Sequence, residues 1–418
     1  MPAPETIAPD TAASRRWLSI IGIGEDGIDG LNATARGLIG AADIVFGGKR
    51  HLTLAAPLIR GAARPWPSPF DGAVAEVLRH RGRAVCVLAS GDPFHYGVGS
   101  VLAHKIDRGE MIVLPAPSAF SLAAARLGWS LPQTVLLSVH GRTLDLVRPH
   151  LQPGARILAL TSDGDGSAAL ALLLTRSGFG RSRLTVLEAL GGPRERIRAT
   201  PAAAFDLGTV DALNIVAIEV AADGDARVIA RAPGLADNLF EHDGQITKRE
   251  VRAVTLSSLA PQRGELLWDV GAGSGSVAIE WMLADASMRA VAIERRADRA
   301  ARITRNAAAF GVPGLEVVEG SAPDALAELA TPDAVFIGGG AEARVIDAAI
   351  MALRAGGRLV VNAVTLETEA LLIARHAATG GELLRIAIGR AGAVGDKTGW
   401  RTAMPVTQWV WTKPWTDT

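Results

Sequence analysis

Leu266-Leu267-Trp268-Asp269-Val270-Gly271-Ala272-Gly273-Ser274-Gly275-Ser276 decides the reading of the C-terminal half. An apolar strand runs into a Gly-x-Gly-x-Gly turn, and helix-forming sequence opens at Ser276 and continues to about residue 283. That arrangement brings backbone N–H groups close to a ligand at a helix N-terminus. By itself the turn suits a dinucleotide or S-adenosylmethionine. The next strand, residues 290–293, leads into Glu294, a carboxylate at a strand tip that can grip both hydroxyls of a ribose. Asp269, just before the glycines, is less usual at dinucleotide sites; it can orient the turn or face a cationic amino-acid end. The third strand, residues 315–318, leads into Glu319-Gly320-Ser321-Ala322-Pro323, whose backbone can edge an adenine.

Further strands are predicted at residues 334–337, 358–361, 384–388 and 408–412, the last two joined by a long connection. This order fits a Rossmann-like seven-strand methyltransferase sheet, so S-adenosylmethionine is the expected cofactor. Its positive sulfur already activates the methyl group. The protein then supplies in-line geometry, water exclusion and charge balance, and no nucleophilic Ser or Cys is expected. Between the second and third strands, Ala300, Ile303, Ala307 and Phe310 form one stripe of a helix over residues 297–310, with Gly311 as its stop.

The N-terminal half has the same α/β rhythm with different punctuation. Strands are expected at residues 18–23, 84–89, 111–114, 134–139, 156–160, 184–187 and 213–220. Short continuous apolar strands alternating with helices argue for parallel-rich sheets. The pattern lapses over residues 221–234, AADGDARVIARAPG. The expected organisation is therefore a disordered segment over residues 1–16, a first domain over 17–222, a linker over 223–235 and a second domain over 236–418.

Composition excludes several classes. The 418 residues are 49% hydrophobic and 21% charged, which rules out intrinsic disorder. Lys plus Arg equals Asp plus Glu at 43 each, so no global basic field draws the chain to nucleic acid or anionic lipid. The single cysteine, Cys86, lies in an apolar run and excludes internal disulfides and cysteine metal cages. No metal site, membrane span or signal peptide is read, and a cytoplasmic protein is expected.

Gly22-Ile23-Gly24-Glu25-Asp26-Gly27 is formally a G-x-G-x-x-G, but its two acids would repel a pyrophosphate, and the dinucleotide reading is rejected. Ser90-Gly91-Asp92-Pro93-Phe94-His95-Tyr96-Gly97 follows a strand, where a Gly-Asp-Pro turn is a ligand-loop position. Pro117-Ser118-Ala119 and His140-Gly141-Arg142 stand at two further strand ends. Arg194, Arg196 and Arg198, alternating with Glu195 and Ile197, read as an exposed strand face.

Gly22 to Glu25, Gly47-Gly48-Lys49-Arg50-His51-Leu52, Ser90 to Pro93, Pro117-Ser118 and His140 to Arg142 together resemble the tetrapyrrole methylases of cobalamin (vitamin B12) biosynthesis, closest to the C5-methyltransferase branch. The C-terminal half resembles the companion C15-methyltransferase and decarboxylase. The matching segments there are Thr247-Lys248-Arg249-Glu250-Val251-Arg252, the Gly271 to Gly275 turn, Phe336-Ile337-Gly338-Gly339-Gly340 and Asn362-Ala363-Val364-Thr365-Leu366-Glu367-Thr368. The resemblance covers nearly the whole chain from Trp17. It implies an N-terminal tetrapyrrole methylase of two α/β subdomains with a cleft, fused to the Rossmann-like methyltransferase. It further implies one S-adenosylmethionine per half, a tetrapyrrole substrate rich in carboxylates, and a homo-oligomer.

Carried onto this sequence, cofactor contacts fall on Gly91, Asp92, Pro93, His95, Ser118, Ala119, Thr247, Asp269, Gly271, Ala272, Gly273, Ser274, Gly275, Glu294 and Ala322. Ala119 stands where relatives often have Ser, and Ser321 where the companion usually has an acid. Arg50, Arg142, Lys248 and Arg252 are the expected partners of substrate carboxylates, with Arg249, Arg390 and Arg401 as further candidates. No catalytic residue is assigned. The implied reaction is methylation of precorrin-6B at ring carbons 5 and 15, with loss of the carbon-12 acetate carboxyl to give precorrin-8X. The alternatives are another cyclic tetrapyrrole as substrate, or an N-terminal half that binds the ring without chemistry.

Overall fold

Val, Ile, Leu and Ala fill the predicted strands with few interruptions, the signature of sheets covered on both faces. A computed structural model of the protein, described over residues 16–67 and 70–415, has this construction. The expected disordered segment over residues 1–16 lies outside the described residues, Arg16 apart. The chain divides into two compact units. One runs to Arg142 and includes Gln152–Arg227; the other takes Thr143–Leu151 and everything from Val228 onward.

In the first unit, β1 (Leu18–Ile23), β2 (Ile44–Gly47), β3 (Ala62–Pro65), β4 (Val85–Ser90) and β5 (Met111–Leu114) form one sheet. Its order is β3-β2-β4-β1-β5, and every pairing is parallel. Because β1 lies between β4 and β5, the loops leaving the carboxyl ends of these three strands surround one crevice. The second sheet holds β6 (Thr134–Ser138), β7 (Arg156–Leu160), β8 (Arg183–Glu188), β9 (Arg196–Pro201) and β10 (Asn214–Glu219), in the order β6-β7-β10-β8-β9. Only its β6–β7 pairing is parallel, so the parallel-rich expectation fails for this sheet. The short β8–β9 connection makes a hairpin, which can only be antiparallel. On β9, Arg196 and Arg198 do not simply face solvent. Their guanidinium groups bond to Glu188, whose side chain is 1% exposed, at 2.6–3.2 Å.

The second unit contains β11 (Leu266–Val270), β12 (Arg289–Glu294), β13 (Glu316–Glu319), β14 (Ala334–Ile337), β15 (Arg358–Ala363), β16 (Glu382–Ile386), β17 (Gly389–Val394), β18 (Lys397–Thr402) and β19 (Val406–Thr412). Seven of these form one sheet, β13-β12-β11-β14-β15-β19-β16, with β19 antiparallel to both neighbours. The long connection before β19 folds as the separate β17–β18 hairpin. Alternation along the strands loads both faces of the large sheet. Leu267, Ala292, Phe336 and Val360 pack with Trp281 and Phe310 in one core; Trp268, Val270, Val335, Ile337 and Trp409 pack in the other. The helix Ala297–Ala309 buries Ala300, Ile303 and Ala307 as its periodicity predicts, and the chain turns away at Gly311, φ 75°.

The connection read as a linker is fastened at both ends. Asp223 and Arg227 donate to the carbonyls of Gly178 and Ser177 in the first unit. Ile229 and Leu235 belong to the core of the second. There the N–H groups of Gly234 and Leu235 donate to Glu280 at 2.6 and 3.0 Å.

Arg252 completes that attachment, which overturns its expected role in holding substrate. Its side chain is 0% exposed, with Nε 2.6 Å from Glu280 and Nη1 3.2 Å from Asp237. It also reaches the carbonyls of Thr247 and Leu235, and the guanidinium lies 4.8 Å from the Phe240 ring centre. Enclosed in this way, the guanidinium is out of reach of a ligand. Removing one partner of such a buried pair leaves an uncompensated charge. Glu280→Ala should therefore destabilise the second unit by about 3–5 kcal/mol, measured by denaturant unfolding of the full chain followed by tryptophan fluorescence.

Candidate active sites

Three loops of the first unit meet backbone to backbone. A Cβ on Gly22 would lie 1.8 Å from the Gly91 carbonyl oxygen and 2.6 Å from the Ala116 nitrogen. Gly91, φ 54°, approaches Pro117 equally closely: a Cβ there would be 2.7 Å from its carbonyl oxygen. Gly91 N–H donates to Ile23, and Ala116 N–H donates to Gly91, at 3.2 and 3.1 Å. The sequence spends glycine where loops from β1, β4 and β5 must touch.

Beside this junction lies a cavity of about 660 Å³, largely apolar, whose wall includes Gly91, His95, Ser118, Ala119, Arg50 and Tyr96. Asp92 and Pro93 are not in that wall. Asp92 accepts from Phe94 N–H at 2.8 Å, and the Pro93 carbonyl accepts from Gly99 N–H at 2.9 Å, so the pair shapes the turn. Ser118 caps the helix Ala119–Leu127 by accepting from Ser121 N–H at 3.2 Å, which leaves the helix N-terminus facing the cavity. His95 packs against Tyr96 and Phe120, with ring centres 5.5 and 4.5 Å away, and those two rings are 5.9 Å from each other. Tyr96 adopts φ 59°, a strained conformation for a residue with a side chain.

Arg50 lies in the wall, as its proposed role requires, but already holds three partners. Nη1 pairs with Glu25, and Nη2 meets Ser90 Oγ at 2.8 Å and His51 Nε2 at 2.9 Å. Burial, with the Arg50 charge added, pushes the His51 imidazole down to about 4, so it is neutral at physiological pH. Arg142 is exposed and lies outside the wall, its guanidinium 6.0 Å from the Tyr96 ring centre.

In the second unit the predicted turn has the predicted geometry. Gly271, Gly273 and Gly275 have φ of 71°, 60° and 75°. A Cβ on Gly271 would lie 2.6 Å from the Gly339 carbonyl oxygen, and one on Gly275 would lie 2.7 Å from Ile303. Glu294 fastens the turn, accepting from Gly273 N–H through Oε2 and from Arg296 N–H through Oε1, both at 3.0 Å. Each oxygen keeps a lone pair for a ligand hydroxyl. Glu294, Gly271, Ser321 and Ala322 line a cavity of about 260 Å³. Gly339, Gly340, Arg295, Arg299 and Arg344 complete it, and no role was expected of any of them individually. A signal existed: Gly339-Gly340 lies in a matched segment, and Arg295 directly follows Glu294.

The other expected contacts stand behind this cavity. Asp269 is 1% exposed and accepts from Ala278 N–H at 3.1 Å, which fixes the start of the helix Ser276–Ala284. Its Oδ1, like Ser274 Oγ, is buried with no hydrogen-bond partner among the described residues. The Ser274 carbonyl accepts from Asn306, and Ala272 packs against the core. Thr247 and Lys248 are not in the cavity wall; Thr247 presents its carbonyl to Arg252, and Lys248 is the exposed cap of the helix Arg249–Leu259. Arg390 pairs with Glu250, and Arg401 donates to Ala393, so both serve the β17 region. A glycine cradle, a carboxylate at a strand tip and two orphaned polar atoms fit S-adenosylmethionine. Among the described residues, no cluster of His, Cys, Asp and Glu could hold a metal, and no helix is long and apolar enough to cross a membrane.

These folds and loops define the chain as a tetrapyrrole methylase joined to a precorrin methyltransferase. Residues 18–206 match the tetrapyrrole (corrin/porphyrin) methylases, and residues 238–413 match the precorrin methyltransferase domain. The chain belongs to the precorrin-6Y C(5,15)-methyltransferase (decarboxylating) family. It is 63% identical over 398 residues to such a protein of a Sinorhizobium species, across 95% of this chain and 96% of that one. Parts of it are similar to shorter proteins. One is a probable cobalt-precorrin-6B C(15)-methyltransferase (decarboxylating) of Saccharolobus solfataricus, 40% identical over 32% of this chain and 72% of that one. Another is a cobalt-precorrin-7 C(5)-methyltransferase of Salmonella typhimurium, 28% identical over 45% of this chain and 92% of that one.

Burial, reinforced by the neighbouring Glu294 charge, raises the Asp269 carboxyl from 3.8 to about 7. The folded state therefore binds this proton more tightly than the unfolded state does. The stabilisation is complete below the unfolded value and is lost as pH rises toward 7. Asp269→Asn keeps an acceptor for Ala278, and unfolding of the second unit at a series of pH values should show a flatter profile than that of the unaltered protein.

Proposed function

We propose that the chain methylates precorrin-6B at ring carbons 5 and 15 and removes the carbon-12 acetate carboxyl as carbon dioxide, giving precorrin-8X. Carbon 5 is methylated in the first unit; carbon 15 is methylated and the acetate decarboxylated in the second. The observation that carries this reading is that each unit has its own cavity against its own glycine-built loops. Relatives named separately for the C(5) and C(15) activities support the division.

S-adenosylmethionine, one per unit, supplies the methyl groups. In the second unit, Glu294 would take the ribose hydroxyls, Ala322 would edge the adenine, and the backbone of Gly271, Ala272, Gly273, Ser274 and Gly275 would hold the remainder. In the first, His95, Ser118, Ala119 and the Gly91 backbone would surround it, on a turn that Asp92 and Pro93 shape. The apolar wall of the first cavity excludes water from the transfer there. Enamine-like ring carbons are the nucleophiles, and the conjugated ring accepts the electron pair released by decarboxylation. The side chains have to orient the ring and pair its carboxylates. Arg50 would do so in the first unit, with Arg142 near its edge; Arg295 and Arg344 would do so in the second, where Arg252 is fully committed and Lys248 stands outside the wall. No side chain is assigned to the decarboxylation. The family likeness extends the reading to a homo-oligomer in the cytoplasm.

Calorimetry on the full chain should give two equivalents of S-adenosylmethionine. Gly91→Val and Glu294→Ala should each remove one, with loss of carbon-5 and carbon-15 methylation respectively. Mass analysis of product from precorrin-6B should show two methyl gains and one carbon dioxide loss. A single equivalent of donor, unchanged by Gly91→Val, would overturn the two-site reading.

A further inference from the structure

The two acids that exclude a pyrophosphate from the Gly22 to Gly27 loop have a different use. Glu25 lies in the wall of the larger cavity, and its side chain is 9% exposed. Oε1 pairs with Arg50 Nη1, from the helix that follows β2 in the first sheet. Oε2 lies 3.4 Å from Arg194 Nη2, from the β8–β9 connection of the second sheet. Arg194 also pairs with Asp211, just before β10. The backbones are close enough that a Cβ on Gly192 would lie 2.6 Å from the Glu25 Cβ. One carboxylate therefore ties together the two sheets of this unit at the edge of the cavity.

Glu25 and Asp211 balance Arg50 and Arg194, so the cluster is neutral. A ligand fringed with carboxylates that entered beside it would meet the Glu25 charge unless it replaced Glu25 on the arginines. The exchange would trade one charge-assisted pair for another, at the cost of leaving the Glu25 carboxylate without its arginines. It would also release the tie between the sheets. A neutral ring could not make the exchange.

We propose that Glu25 is an internal stand-in for a ring carboxylate: it holds Arg50 and Arg194 in position and yields them when a polycarboxylate ring binds. Glu25 is thus a positioning and specificity residue of the first cavity. The inference rests on the reading that this cavity takes such a ring.

The test uses the full chain. Glu25→Gln removes the competitor, so the KM for the ring in carbon-5 transfer should fall about two- to five-fold, the upper part of the range for one ion pair. Its kcat should fall as product leaves more slowly, while carbon-15 transfer keeps its KM. Arg194→Ala, at a side chain 61% exposed and so safe for folding, should raise the carbon-5 KM, and the double variant should lose the gain. A second readout needs no catalysis. Uroporphyrin, with its rim of carboxylates, should bind Glu25→Gln more tightly than the unaltered protein by fluorescence quenching, whereas its methyl ester should bind both alike. An unchanged or raised KM in Glu25→Gln, or uroporphyrin binding indifferent to it, would overturn the proposal. Absence of carbon-5 transfer in the unaltered protein, with the uroporphyrin difference intact, would instead count against the proposed reaction.

Discussion

Backbone meeting backbone without an intervening Cβ is the constraint on which both candidate sites depend. At Gly22, Gly91 and Ala116 it brings together the loops of three parallel strands, and at Gly271 and Gly339 it joins those of β11 and β14. A side chain at Gly22, Gly91 or Gly271 would drive the loops apart. The other features follow from that contact. Ser118 can cap a helix at the cavity edge, and Glu294 can reach the Gly273 N–H, because the strand ends are already in place.

Charge is the second constraint, and it acts against the first impression of an arginine-rich chain. The protein is formally neutral, and many of its guanidinium groups are spent internally. Arg358 is buried against Glu265 with two 2.6 Å contacts, and Arg252 against Glu280. Such pairs are costly to break once buried, which makes them poor candidates for exchange with a ligand. The half-exposed arginines at the cavities are different. Arg50 has a side chain 33% exposed and Arg344 one 65% exposed, so a new partner can be taken with modest desolvation.

The two units build their candidate sites in unlike ways. The first uses a parallel sheet, whose loops shape a turn, beside a mixed sheet, and its cavity is large enough to take more than a nucleoside. The second uses the switch between β11 and its neighbours in a seven-strand sheet, and its smaller cavity follows the turn closely. On the proposed function, a polycarboxylate ring is oriented by different side chains in the two cavities.

Most of the frame was legible in the sequence because it rests on local pattern. Continuous apolar runs marked the central strands, and 3.6-residue spacing marked the helix Ala297–Ala309. The glycine turn of residues 271–275 was legible for the same reason: a turn that needs φ above zero leaves a local mark. Strands β2 and β3 were not read as elements, since each is only four residues long, too short to show a period. The burial of Arg252 and the meeting of Glu25 with Arg194 are long-range facts. Local composition determined which segments could be strands, turns and ligand loops. Tertiary structure alone decided which arginines would find a carboxylate inside the protein, because residues far apart in sequence become partners only once the sheets are assembled.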